Sequence, residues 1–195
     1  MAVIVVLIVL AYILGSVPSG YVLGKLAGVD VRNIGSGNIG ATNVARAIGK
    51  WQGAVTLVAD AAKGFLPVLI ATQLAFDPYA IAGTAMAAFL GHLFPLFLKF
   101  QGGKGVATAA GALLAIAPLA TLVLLALFVL VVCWSRIVSL GAMATAVVAP
   151  LVLWFFHHQP AIIGMGVFLA VMIVLRHQDN IQRLRAGTEP RFGGA

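Results

Sequence analysis

Six long apolar runs, at 2–24, 51–75, 79–98, 106–133, 138–156 and 160–175, constrain this chain more than any other feature of it. Each approaches or exceeds the ~20 residues with which an α-helix crosses the hydrocarbon core of a bilayer. Helices are also what lipid requires, because they satisfy their own backbone hydrogen bonds. Charged residues make up only 9% of the 195 and hydrophobic ones 62%, whereas soluble domains carry about 25% charged residues. The expected fold class is therefore all-α, a polytopic helical bundle integral to a membrane. The first run lacks a basic leader and a cleavage signal and passes directly into Gly15-Ser16-Val17-Pro18-Ser19-Gly20, so it reads as a retained helix. No long linker, low-complexity tract or clear internal repeat divides the chain, and residues 1–195 read as one domain.

The formal net charge of +7, from 12 Lys+Arg against 5 Asp+Glu, needs no nucleic-acid partner, because basic residues gather in the loops on the inner side of a membrane. Lys25, Arg32, Arg46 and Lys50 flank the first long loop, Lys99 and Lys104 the second, and Arg136 a third; Arg176, Arg183, Arg185 and Arg191 follow the last run. The connections around Asp77-Pro78 and His157-His158-Gln159-Pro160 carry no Lys or Arg. All the basic loops share one side only if the run 106–133 crosses twice, and Pro118 near its middle supplies the break. Seven transmembrane helices are predicted, with the N-terminus outside and the C-terminus inside; a single crossing there would make six. Each half of that run would be short, roughly 20 Å at ~1.5 Å per residue, and needs local thinning or neighbouring helices as shields. Gly20, Gly24 and Gly28 have the spacing that lets helices approach closely. Asp60 and Lys63, three apart in the second run, can pair on one face, either structurally or toward a substrate. The only cysteine, Cys133, is expected to be a buried packing residue. With one cysteine and His157 and His158 on the outer side, no metal or cofactor is expected.

Three polar islands interrupt this pattern, all on the predicted inner side. The first runs from Val31 to Arg46, with Ser36, Gly37, Asn38, Thr42, Asn43 and Arg46 as candidate phosphate-binding groups: small residues allow close backbone approach, and hydroxyls, amides and a guanidinium supply donors. It reads equally as a glycine-rich turn between helices. Its Gly35, Gly37 and Gly40 fit a dinucleotide-loop spacing, but no βαβ unit surrounds them. The second, Gly102-Gly103-Lys104-Gly105-Val106-Ala107-Thr108, sets flexible backbone N–H groups beside a lysine at a helix start, a phosphate loop in kind. It is not a nucleotide-hydrolysing loop, since Gly105 stands where Ser or Thr would follow the lysine. The third, from Arg176 to Leu184, places His177 and Asn180 on one face of a helical turn. His92 reads as hydrogen-bonded within the bundle rather than catalytic.

Taken together, Gly35-Ser-Gly-Asn-Ile-Gly-Ala-Thr-Asn43, Gly102-Gly-Lys-Gly-Val-Ala-Thr108 and His177-Gln-Asp-Asn180-Ile-Gln-Arg-Leu184 resemble the bacterial acyl-phosphate:glycerol-3-phosphate acyltransferase family, the PlsY family, in its motif order and along almost the whole chain. The resemblance implies acyl transfer from acyl phosphate to glycerol 3-phosphate, giving 1-acylglycerol 3-phosphate and phosphate at the start of phospholipid synthesis. It implies an inner-membrane enzyme with a cytoplasmic active site, the same seven-helix arrangement, and coupling to the enzyme that makes acyl phosphate. Gln178 departs from the Arg of many relatives, and Ser139, in Ser135-Arg136-Ile137-Val138-Ser139, is a further candidate for substrate contact.

Acyl phosphate carries its own activation, so alignment of the acceptor hydroxyl and charge stabilisation are the main demands on the enzyme. Lys104, His177 and Asn180 are the expected catalytic residues, His177 and Asn180 holding glycerol 3-phosphate and the Gly102–Thr108 loop with Ser36 the donor phosphate. The two assignments can be exchanged. The proton acceptor is either His177 or a substrate phosphate oxygen, whose second pKa is ~6. The rival reading is an anion transporter, whose polar breaks would instead fall at the bilayer midplane and recur in repeats.

Overall fold

The structure, a computed structural model, describes residues 1–157 and 159–193 and is helical throughout, with no strand among the described residues. It divides into two compact units, Met1–Ile116 and Ala117–Ala195, each considered by itself below.

In the first unit, α1 (Ala2–Gly15) and α2 (Ser19–Leu26) are separated at Pro18, whose ring and missing N–H interrupt the helical ladder. A short helix α3 (Ala41–Ala47) precedes α4 (Lys50–Gln73), α5 (Pro78–Leu93) and α6 (Val106–Ile116). Asp77 caps α5 by accepting from the Tyr79 and Ala80 amides at 2.9 and 3.1 Å, with Pro78 preset for the first helical position. Glycines set how closely the helices pack. A Cβ on Gly15 of α1 would strike the Ala88 carbonyl of α5, and one on Gly91 of α5 the Tyr12 carbonyl of α1. The pair α4 and α6 repeats the device, Gly64 lying on the Thr108 carbonyl and Gly111 on the Ala61 carbonyl. Lipid offers no hydrophobic drive for helices to associate, so this close backbone approach is what dispersion attraction needs. Gly111→Ala should push α4 and α6 apart and lower stability by ~1–3 kcal/mol, the usual penalty of overpacking. Thermal unfolding in detergent checks this, with Gly164→Ala as the silent control because open space surrounds that glycine.

The second unit holds α7 (Pro118–Ser135), α8 (Val138–His157), α9 (Pro160–Leu175) and α10 (Gln178–Arg185). Pro118 and Pro160 each open a helix at its first position. The break expected at Pro118 is present: α6 ends at Ile116 and α7 begins two residues later. α9 and α10 meet at a 55° bend.

Five spans are long and apolar enough to cross a bilayer: Ala2–Leu26, Lys50–Gln73, Pro78–Leu98, Pro118–Ser135 and Val138–His157; the bent pair α9 and α10 makes a sixth. Their outward faces carry large apolar side chains such as Val58, Leu130, Leu151 and Val171, which suits lipid rather than water as the solvent. At 11 residues, α6 is about 16 Å long by the ~1.5 Å helical rise, and five of those residues, Thr108, Ala109, Gly111, Ala112 and Leu113, are buried in packing.

Two expectations are corrected. Cys133 is exposed on α7, because that helix turns only Ala120 and Leu124 inward. Gly28 packs against nothing within 4 Å; its φ of +72° closes the turn after α2, so the Gly24 and Gly28 spacing marks no helix interface. His158 lies outside the described residues.

Candidate active site

The first island is tied together by Asn43. Its Oδ1 accepts the Ser36 N–H at 2.9 Å, and its Nδ2 donates toward the carbonyls of Val31, Asn38 and Ile34 at 2.9, 2.9 and 3.0 Å. Both amide ends are thus engaged with the loop's own backbone, and Asn43, 2% exposed, acts as the scaffold of the island. Asn38 also works locally, accepting the Gly40 N–H at 2.7 Å as an Asx turn. Gly35 and Gly37 take φ of +61° and +68°, the left-handed region that only glycine enters without strain. What faces outward is Ser36, Gly37, Thr42 and Arg46. Thr42 and Arg46 stand four apart on α3 and share a face. Arg32, in contrast, is spent: it pairs with Asp30 at 2.7 Å and covers the Tyr21 ring at 4.6 Å. The Arg32 guanidinium holds the Asp30 carboxyl well below the usual carboxylate range.

The second island folds back on the end of α5. Gly102 N–H donates to the Leu93 carbonyl and Gly103 N–H to the His92 carbonyl, each at 3.1 Å. Each glycine is sterically required: a Cβ would strike the His92 carbonyl from Gly102, the His92 ring from Gly103 and the Phe89 ring from Gly105. Lys104 is half-buried between Gly103 and Gly105, and α6 begins two residues later. On its first turn Thr108 is fully buried, and its Oγ1 has no hydrogen-bond partner among the described residues. Buried polar atoms are nearly always paired, which makes this hydroxyl, four residues after Lys104 at a helix start, a candidate contact for a polar ligand.

In the second unit the candidates gather around a carboxylate that the sequence reading passed over. Glu189 Oε1 accepts from Ser139 Oγ at 2.6 Å and from Asn180 Nδ2 at 2.5 Å, while its Oε2 accepts from Arg183 Nε at 2.7 Å. Burial pushes the Glu189 carboxyl up, but the hydrogen bonds from Ser139, Asn180 and Arg183 and the Arg183 charge outweigh it, so the carboxyl sits below its ordinary value. Ser139 and Asn180, read separately from sequence, are thereby brought onto one group. The usable signal is the sequence's only glutamate, in Gly187-Thr188-Glu189-Pro190, amid the arginines of the tail. His177 stands at the N-cap position just before α10 and is 2% exposed. Its Nδ1 lies 2.7 Å from the Ile173 carbonyl, which can only accept, so Nδ1 carries the proton and Nε2 is the basic nitrogen of the neutral ring.

A membrane-integral helical protein, with a glycine-cradled lysine in one unit and a histidine–asparagine pair in the other, belongs to the class of bilayer enzymes that handle phosphorylated substrates. The model of the family described as glycerol-3-phosphate acyltransferase matches residues 5–187. Curated glycerol-3-phosphate acyltransferases from Trichlorobacter lovleyi and Geobacter sulfurreducens are 51% and 48% identical, over 93% and 96% of this chain and 94% and 96% of theirs. The crystal structure of PlsY (YgiH), an integral membrane glycerol 3-phosphate acyltransferase, in its glycerol 3-phosphate form superposes with a TM-score of 0.95 at 41% identity, covering 97% of this chain and 96% of that one. Its lysophosphatidic acid form gives a TM-score of 0.91 at 40% identity, covering 97% and 95%. The chain belongs to the glycerol-3-phosphate acyltransferase family, and it is an acyltransferase rather than a transporter.

Proposed function

We infer that this enzyme moves a fatty acyl group from acyl phosphate to glycerol 3-phosphate, forming 1-acylglycerol 3-phosphate and inorganic phosphate. The observation that carries the reading is the Gly102–Thr108 loop, with its three sterically required glycines, its lysine and the unmatched Thr108 hydroxyl. In this reading the loop, with Ser36, cradles the donor phosphate, and Thr42 and Arg46 add a hydroxyl and a charge. His177 and Asn180 hold glycerol 3-phosphate, and Ser139 is positioned through Glu189. The acceptor hydroxyl oxygen forms a bond to the acyl carbonyl carbon, the bond from that carbon to the bridging oxygen breaks, and phosphate leaves with the electron pair. The hydroxyl proton passes to His177 Nε2 or to a phosphate oxygen. No covalent acyl-enzyme is required, because the donor is already activated. Two kinds of relatives' structures, one with glycerol 3-phosphate and one with lysophosphatidic acid, support the acceptor and the product. Offering purified enzyme acyl phosphate or the matching acyl thioester tests the donor: turnover with acyl phosphate alone is expected, and preference for the thioester contradicts it.

Residues 1–195 then form a single transmembrane acyltransferase domain in the inner membrane, with seven crossings, N-terminus outside, and the islands on the cytoplasmic face. The distribution of Lys and Arg supports this topology, α6 being the short crossing shielded by α4. Coupling to the enzyme that supplies acyl phosphate follows, since that donor hydrolyses readily. Reporter fusions at Arg136 and after Arg185 should report cytoplasm and one at Asp77 the outside; an external Arg136 removes the seventh crossing.

A further inference from the structure

Three buried ionisable side chains of the first unit lie outside the islands: Asp60 and Lys63 on α4 and His92 near the end of α5, at 2%, 4% and 4% exposure. Lys63 Nζ stands 2.8 Å from Asp60 Oδ1 and donates to the Val17 carbonyl, bared at the break between α1 and α2, at 2.6 Å. His92 Nδ1 lies 3.8 Å from the same Asp60 oxygen, beyond hydrogen-bond reach, so Asp60 faces that edge of the ring as a charge. Charges inside a membrane protein are expensive, and a buried ion pair is often replaceable by apolar residues without loss of stability. Packing alone therefore gives weak reason for three such groups to meet at one point.

The other edge of His92 supplies a reason. Its carbonyl accepts the Gly103 N–H, and its Nε2 packs on Gly103 so closely that a Cβ there would strike it. The ring thus forms the floor under the peptide from which Lys104 departs. We propose that Asp60 and Lys63 are positioning residues of the phosphate loop: they orient the His92 ring, and the ring sets the path of Gly102 to Lys104. The proposal rests on the reading that this loop holds a substrate phosphate.

The test is a double-mutant cycle on the purified full chain in detergent, with acyl phosphate and glycerol 3-phosphate as substrates. Two sets of substitutions are used: His92→Gln, and the charge-neutral pair Asp60→Asn with Lys63→Gln. Each set should lower kcat/KM at least ~10-fold with an unmoved thermal transition, and should add less than ~3-fold in a Lys104→Ala background, because groups acting through one element are not additive. Equal losses in both backgrounds, folded variants within twofold of wild type, or loss of the folded species in both sets would each overturn the proposal; the last would make the cluster a brace for the fold. A fully active Lys104→Ala sinks the loop reading and this inference with it. A crippled Lys104→Ala beside unaffected cluster variants sinks this inference alone.

Discussion

Lys104→Ala is expected to lower turnover by on the order of 10² to 10³, the effect of removing one preorganised donor to developing negative charge, or ~2.7–4 kcal/mol. In the proposed reading two phosphorylated substrates repel one another, and the Lys104 ammonium is the group that offsets that repulsion beside the donor phosphate. The backbone around Lys104 is held in place: Gly102 and Gly103 donate to the Leu93 and His92 carbonyls, and Gly103 and Gly105 admit no Cβ because His92 and Phe89 lie against them, so the lysine departs from a fixed main chain. The variant should insert and fold normally, since the residue lies in a loop rather than on a packed helix face. Lys104→Arg should recover little, because a planar guanidinium does not reproduce a compact ammonium. Initial rates on detergent-purified variants give the answer, and a Lys104→Ala enzyme retaining more than roughly a tenth of wild-type turnover would reduce Lys104 to a topology signal.

Glu189→Ala should be nearly as damaging, although Glu189 is not placed against substrate. Its carboxylate accepts from Ser139, Asn180 and Arg183 together, with its side chain 6% exposed, and hydrogen bonds to a charged group contribute ~1.5–3 kcal/mol each. Without it the Asn180 amide loses its fixed direction and the Arg183 guanidinium its partner. A fall in kcat/KM of about 10², equivalent to ~2.7 kcal/mol, is expected, with Glu189→Gln intermediate because an amide oxygen still accepts but carries no charge. The folded carboxyl lies below its unfolded value, so its stabilisation is complete above the ordinary glutamate range near ~4.3 and is lost as pH falls through the folded value. As pH falls through that window wild type should therefore lose stability more steeply than Glu189→Gln, whose neutral amide lacks that component; acid titrations of the two in detergent check it. A Glu189→Ala enzyme within threefold of wild type would show that Asn180 and Ser139 hold their places unaided.

Much of this architecture was legible because lipid simplifies the code. The apolar runs became helical within a few residues of their expected limits, with a break at Pro18 inside the first and the expected one at Pro118 inside 106–133, where proline's ring and missing N–H interrupt the ladder. The Asp60 and Lys63 pair followed from a spacing of three and the penalty on lone charges in a bilayer. Contacts between distant segments were not legible. Glu189 lies 50 residues from Ser139, and nothing periodic connects them. Asn43 looked like a ligand because an asparagine in a polar loop can donate outward, yet its amide is consumed by the loop's own backbone. His92 looked like an ordinary bundle histidine because the glycine it supports arrives from a turn 11 residues further on, through main-chain bonds that sequence does not display. Cys133 was misjudged because an apolar run says that a residue is out of water, not whether it faces protein or lipid.

The central claim is direct acyl transfer between two phosphorylated substrates, and one measurement meets it squarely. Purified enzyme in detergent, with no bilayer to transport across, is given acyl phosphate and labelled glycerol 3-phosphate, and the labelled lipid and released phosphate are quantified together. The account predicts 1-acylglycerol 3-phosphate and inorganic phosphate in equal amounts, with neither formed at comparable rate when glycerol 3-phosphate is omitted. Folded enzyme that forms no labelled lipid, or that releases phosphate in a burst without the acceptor, would contradict it.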